Sequence, residues 1–367
     1  MLKKGMKMKC LSNNTINKKR RASIWTTVLL SASISWQPHT GLPVSLDGTT
    51  GTALYESAQY PFAHTDFAAG YVRLAGGFSV PSGAEAFMSV HPPVSGIIDL
   101  NNTGMVTLGD DLNLASNVKL TSGGRINGMG YSIFLNHHLS LQGQILEVIS
   151  NTVIDGRGNT LFLSGTQGEG ILFINGAPGT RVTLKNMRIR GNKTYGFGFP
   201  SIVFGGAPNQ CLVLQNVIFH LGDNFLFTGG KLEIRGETKI TGLHTFDFRA
   251  SEDILIKDDA TLCIDTGTRF NYRPTDLDKN HLILNTRDSR LHLMGATLFA
   301  PKNTGLHLSR GQLLVDHKSV LKSNGAVEGD QAFEFGDGSM AGELTVNIAP
   351  GASLEIEDGF LKYQNQE

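Results

Sequence analysis

A phrase that returns at a set distance constrains this chain most. Val182-Thr183-Leu184-Lys185-Asn186-Met187-Arg188-Ile189 aligns with Leu212-Val213-Leu214-Gln215-Asn216-Val217-Ile218-Phe219, 30 residues later. Upstream, Val153-Ile154-Asp155-Gly156-Arg157-Gly158 echoes Arg125-Ile126-Asn127-Gly128-Met129-Gly130 at a distance of 28. Downstream, a second phrase recurs as Ala260-Thr261-Leu262, Ala296-Thr297-Leu298, Ser319-Val320-Leu321 and Ala352-Ser353-Leu354, at spacings of 36, 23 and 33. Repeats of this size mark stacked units, each of which buries its apolar face only against its neighbours.

The local pattern names the element inside each unit. From about Phe78, runs of three to six residues alternate apolar and polar, as in Met105–Leu108, Val118–Leu120, Arg125–Asn127, Ile133–Leu135 and Leu139–Leu141. Arg181–Leu184, Leu212–Leu214, Lys231–Ile234 and Asp253–Ile256 continue the series, and Val346–Ile348, Ala352–Ile356 and Phe360–Tyr363 close it. Alternation with period two over such short runs means half-buried strands. Gly, Asn, Asp and Ser separate them, and Gly reaches 44 of 367 residues. No helical stripe interrupts the strands, which excludes a doubly wound α/β fold. The expectation is an all-β chain, a single-stranded parallel β-helix (a β-solenoid) of about nine or ten coils over residues 78–367. Residues 37–77 have no clear repeat and are read as an N-terminal cap or irregular segment, with a short helix or plug within Thr52–Leu74. Asn186 and Asn216 fall at one corner of successive coils, where stacked amides can form a hydrogen-bonded ladder, and the apolar register argues against their facing outward. The pairs Gly156–Gly158, Gly205–Gly206 and Gly229–Gly230 are read as turns with positive φ.

The stretches VIDGRGNTLFLSG (153–165) and VTLKNMRIRGN (182–192) resemble the coils of pectate-lyase-like right-handed parallel β-helix proteins. The resemblance covers residues 97–300 well and 78–360 loosely. It implies a right-handed coil, and relatives of this fold include polysaccharide lyases, which hold calcium on acidic residues of neighbouring coils and use an Arg as base, and hydrolases with signatures like NTD, DD, GHG and RIK. This sequence has no NTD, GHG or RIK. Its pairs Asp110-Asp111 and Asp258-Asp259 sit beside turns without the accompanying motifs, and solvated turns are the expectation for both.

Register supplies an outward set. If Ile189 faces the core, Arg188 and Arg190 face out, aligned with Ile218 and His220. If Phe246 and Phe248 face in, Asp247 and Arg249 face out, and Asp223 lies in the turn after His220. Arg190, His220, Asp223, Asp247 and Arg249 are therefore the candidates for lining one groove. The alternative is a row of solvated charges that protects strand edges. His64, His137 and His138 lack metal-like partners and read as surface or turn residues.

Charge and cysteine content set the remaining bounds. Residues 1–46 hold eight Lys or Arg and no acid, so the rest carries 24 basic and 32 acidic residues, a net of −8. An acidic body disfavours nucleic acid as a partner. Lys3, Lys4, Lys7, Lys9 and Lys18 to Arg21 precede the apolar run 22–36, which fits a signal peptide over residues 1–36 cleaved after Ser33 or Ser35. No second apolar run of about 18 residues follows, so the body is not expected to span a membrane. Cys10, Cys211 and Cys263 show no metal-ligand spacing and no His cluster beside them, and unpaired thiols are expected. No cofactor is implied, with calcium entering only under a lyase reading. The leading expectation is an exported protein, secreted or in the cell envelope, with a structural, adhesive or carbohydrate-binding role and a polysaccharide or cell-surface component as partner. The rival readings are a polysaccharide lyase or glycoside hydrolase with a divergent site, and a cytoplasmic scaffold with an uncleaved basic tail.

Overall fold

The computed structural model describes residues 77–79, 85–88, 93–94, 97–100, 102–114, 119–120, 122–165, 168–192, 201–277, 279–302, 304, 306–325, 333–336 and 343–363. The expectations for residues 1–76, including the leader, His64 and Thr52–Leu74, lie outside them. Every regular element among the described residues is a strand, and apart from the small hairpin Ser164–Gly165 with Gly168–Glu169 the pairings among them are parallel. No helix among them is long and apolar enough to cross a membrane. The chain is a parallel β-helix.

Each coil has three sides. Arg181–Asn192 shows how the chain rounds a corner without breaking the ladder. Its first half pairs Val182 with Thr152 and with Leu212, and its second half pairs Ile189 with Leu161 and with Phe219. We call the side of residues 182–185 the first and that of 187–190 the second. The third side holds Ile171–Ile174, Ile202–Phe204, Phe225–Phe227, Thr245–Phe248, Arg269–Tyr272, Thr297–Phe299, Ser319–Lys322 and Leu354–Glu357. Followed from Gly77–Ser79 to Leu361–Tyr363, the described strands trace twelve levels on each side, more than the nine or ten coils expected. The excess arises because several coils are only about 20–22 residues long: Ile133 stacks on Leu112 and Ile154, and Leu291 on Leu313.

The 30-residue repeat is the true coil step, with Leu184, Met187 and Ile189 stacked on Leu214, Val217 and Phe219. Three other phrase alignments are corrected. Gly124–Asn127 lies on the third side beside Ile145–Val148, whereas Thr152–Asp155 lies on the first side beside Ser132–Leu135. The shared Ile-Asp/Asn-Gly-x-Gly lettering reflects similar turn chemistry at different corners. Likewise Thr261 pairs with Arg290, not with Thr297, and Leu354 pairs with Ser319, two residues from the alignment with Leu321.

Inward rows form one continuous core from Leu100 to Phe335. Its bulkiest side chains are aromatic. Phe219, Phe225, Phe227, Phe246, Phe248, Phe270 and Tyr272 pack with centroids 5.1–6.3 Å apart, Phe219 edge-on, while Phe246 with Phe270 and Phe248 with Tyr272 are within 6° and 4° of coplanar. The in-register parallel strands force this, since like positions lie about 4.8 Å apart along the axis.

The first corner carries a polar ladder. Asn186 donates from Nδ2 to both carboxylate oxygens of Asp155 at 3.3 Å, Asn216 donates to Asn186 Oδ1 at 3.1 Å, and the Glu237 amide donates to Asn216 Oδ1 at 3.1 Å. Both asparagines have positive φ, 49° and 54°. Asn tolerates that conformation better than other side chains. Gly236 takes the same corner one level on, at φ 56°, where a Cβ would meet Asn216 Oδ1 at 2.0 Å. The ladder is at the surface: Asn186 is half-buried and Asn216 exposed, so the expectation that the register keeps them from facing outward is corrected. A left-handed residue turns the chain outward at that point while the neighbours Leu184 and Met187 stay in the core.

Phe246→Ala removes the ring that contacts four aromatic neighbours. It is expected to cost about 3–5 kcal/mol and to lower the urea midpoint markedly, whereas Asn216→Ala, which breaks two ladder bonds at the rim, costs about 1 kcal/mol.

Candidate functional site

The outward row of the third side differs from the solvated rows around it. Register places Leu226, Asp247, Asn271, Phe299, Lys322 and Glu357 one above another. Phe246 and Phe248 point into the core on either side of Asp247, which obliges its carboxylate to point out. Arg249 donates from Nε and Nη2 to Asp247 Oδ2 at 2.9 and 2.6 Å. Arg273 brings its Nε to 4.0 Å from Asp247 Oδ1. These two atoms are buried, and neither has a hydrogen-bond partner. Arg269 donates from Nε to Asn271 Oδ1 at 2.7 Å. The guanidinium carbons of Arg269 and Arg273 lie 4.4 and 5.0 Å from the centroid of the Phe299 ring.

Three arginines thus gather around one aspartate on a body that is acidic as a whole. Burial lowers the Arg269 pKa, and the Arg273 guanidinium beside it lowers it further, against the opposing pull of Asp247. Two neighbouring cations packed on one ring raise the local potential, and an anion brought there relieves it. A shallow depression of about 260 Å³ opens over the start of this row, lined by Asn224, Phe225, Leu226, Thr245, Asp247, Arg249 and Asn271, with Arg269, Arg273 and Phe299 outside its lining.

The five sequence-derived candidates do not share one groove. Asp247 and Arg249 line this depression. Arg190 and His220 face outward as expected, but they pair with each other on the second side, where His220 Nδ1 lies 2.9 Å from Thr241 Oγ1. Asp223 is exposed in the turn between the two sides and caps the Asn224 amide at 2.7 Å. The corner between second and third sides separates the two groups. The missed members, Arg269, Asn271, Arg273 and Phe299, lie one and two coils further on, and only the register ties them to Asp247.

The other acidic candidates have structural work. Asp111 accepts the Ser132 amide at 2.7 Å. Asp258 accepts from Asn285 Nδ2, and Asp259 is a turn residue with φ 56°. His138 Nδ1 accepts the Thr160 amide at 3.1 Å. Among the described residues no three His, Cys, Asp or Glu side chains are grouped to hold a metal ion.

Cys211 and Cys263 are free and buried. A single histidine stands beside one of them, one coil away. Register pairs Cys263 with His292, with Sγ 3.7 Å from Nδ1, and His292 Nε2 lies 2.7 Å from Asp316 Oδ2. This order of groups resembles a nucleophile, base and orienting acid. Burial nevertheless pushes the Cys263 thiol up to about 11, and Cys263 is only 3% exposed. The trio is a hydrogen-bonded surface row with an unactivated thiol. Cys211 is pushed up to about 11 in the same way.

Glu233, 2% exposed on the outer face of the first side, is held by Arg181 Nη1 at 2.8 Å and Arg235 Nε at 2.6 Å. Burial opposes its ionisation, but the two arginine hydrogen bonds outweigh that and keep its pKa below the usual value. The Arg181 bond reaches across the intervening coil of Cys211, whereas Arg235 holds Glu233 from the same strand.

Comparison with protein-family models, with curated proteins and with solved structures returned no match.

Two outcomes are expected. At pH 8, Cys211 and Cys263 resist alkylation in the native protein and react on unfolding, as mass spectrometry after labelling would show. Because the native pKa of Glu233 is depressed, its contribution is complete above its unfolded value of about 4.3 and is lost as pH falls through the native value. Glu233→Gln therefore flattens the acid limb of the stability profile measured by thermal unfolding.

Proposed function

We propose that this chain is an exported β-helix protein that binds an acidic polysaccharide along its third side without acting on it chemically. The observation that carries the reading is the cluster of Arg249, Arg269 and Arg273 around Asp247, with two of the guanidiniums packed against Phe299. Guanidinium groups present paired donors that match a carboxylate or sulfate. Packing on Phe299 restricts two of them before a ligand arrives, which reduces the ordering cost of binding. The depression is shallow and lies on a flat ladder, a shape that suits an extended polymer running along the solenoid axis better than a compact small molecule. The basic leader and apolar run of residues 1–36 support export.

The non-catalytic part of the reading rests on the state of the acid. Asp247 is engaged by Arg249, and the row at its level supplies no second carboxylate for paired acid–base chemistry. An acid whose Oδ2 is held by Arg249 and whose Oδ1 faces Arg273 serves to position them.

The test is a binding screen of uronate-bearing, sulfated and neutral polysaccharides, with and without calcium, followed by mass analysis of the glycans. Binding to acidic glycans only, weakening as salt rises, is expected. Arg273→Ala should weaken it about tenfold or more, the scale of one charged hydrogen bond. Equal binding to neutral glycans would sink the anionic reading, and cleaved product would replace it with the lyase or hydrolase reading. A mature protein that retains Met1 would count against export.

A further inference from the structure

The last described coil shows what the solenoid does with an uncovered layer. Its strands are Leu344–Ile348 on the second side, Leu354–Glu357 on the third and Leu361–Tyr363 on the first, and each ends its sheet. One coil earlier, the inward positions Leu313, Val315, Leu321 and Phe335 are no more than 3% exposed. Their partners in the last coil, Val346, Ile348, Ile356 and Tyr363, are 39, 49, 44 and 67% exposed. The residue types are those of the core. No described strand lies on their far side.

Bare solenoid ends and sheet edges normally carry charges pointing inward, prolines or a covering segment. None of the inward positions here, Leu344, Val346, Ile348, Leu354, Ile356, Leu361 and Tyr363, is charged. The outward charges are already tied to the preceding coil: Lys318 to Glu355 at 2.9 Å, Lys322 to Glu357 at 2.9 Å and Lys362 to Glu334 at 2.9 Å. The edge is therefore apolar inside, and outside it presents Glu355 and Lys362, which are still 42 and 51% exposed.

We infer that this face pairs with the same face of a second copy, end to end, by antiparallel strand addition about a two-fold axis through Val346. A two-fold axis across the end of a three-sided coil maps one side onto itself and exchanges the other two. The sequence is self-complementary under that operation. On the second side, Val346 meets Val346 and Leu344 meets Ile348, so core positions stay on the core side. Outside, Thr345 meets Asn347, and no like charges face each other. On the exchanged sides, Leu354 meets Tyr363, Ile356 meets Leu361, and the outward Glu355 meets the outward Lys362 of the other copy. A shift of one residue would set inward side chains of one copy opposite outward ones of the other, which the pleat does not allow. The charge match between Glu355 and Lys362 then selects the second copy over an arbitrary strand.

The experiment uses the full 367-residue chain. Sedimentation velocity should show a dimer. In a Cys10→Ser background, Val346→Cys should form a disulfide-linked dimer on mild oxidation, because antiparallel partners facing each other come within bonding reach. Thr345→Cys should not, since its partner is Asn347. Val346→Lys should give a monomer with an unchanged circular dichroism spectrum. Should that variant fail to fold, Lys362→Glu provides a second route: it should weaken dimerisation about tenfold, and adding Glu355→Lys should restore it. A monomeric wild type at every accessible concentration overturns the inference. So does a dimer in which Val346→Cys fails to cross-link, which would place the interface elsewhere, for instance on the basic leader or a segment that covers this end.

Discussion

Everything in this molecule depends on stacking like on like at one strand spacing. Parallel in-register coils put each inward side chain directly above its counterpart, about 4.8 Å away. That spacing is short enough for aliphatic rows to interlock and suits near-parallel aromatic rings, which accounts for the run from Phe227 through Phe248 to Tyr272. The same spacing brings amides into hydrogen-bond reach at the corners and lets Arg181 reach Glu233 two coils on. A single geometric constraint thus produces the core, the corner ladder and the outer charge rows.

It also produces the candidate site. In a compact globule, residues that meet in a site come from unrelated parts of the chain. Here Asp247, Asn271 and Phe299 meet because they occupy one register position on three consecutive coils, and Arg249, Arg269 and Arg273 flank that row on two of the same strands. The alternation that sends the phenylalanines inward sends the polar and charged residues outward. Aromatic core and arginine surface are two faces of the same strands. A feature that stabilises the fold, the Phe246–Phe270 stack, therefore also fixes the position of the outer cluster.

Individual residues show where sequence reasoning carried. The step from Leu184 to Leu214 was legible because the coil and the phrase have the same length there, and the outward direction of Asp247 and Arg249 followed from Phe246 and Phe248. Coil phase elsewhere was not legible. Turns of variable length change the side on which a phrase falls, so Ile126 and Ile154 share lettering but not a sheet, and Thr261 and Thr297 lie on different sides. Without that phase, His220 and Asp247 could be placed in one groove, although a corner separates them, and His292 could be missed beside Cys263, although it stands one coil away. The left-handed backbone of Asn216 was hidden for a related reason: its neighbours' burial sets the strand, while the corner itself follows local hydrogen bonding.

By itself the sequence determined the class of structure: short alternating strands, frequent turns and a repeat that only stacked parallel coils satisfy. Period-two alternation is a local property, and local properties survive in one dimension. The tertiary structure decided which outward residues meet, how many levels there are and which apolar row is left uncovered. Those depend on the summed lengths of turns between strands, where one added residue changes the register of everything above it, and only the closed set of strand pairings resolves that sum.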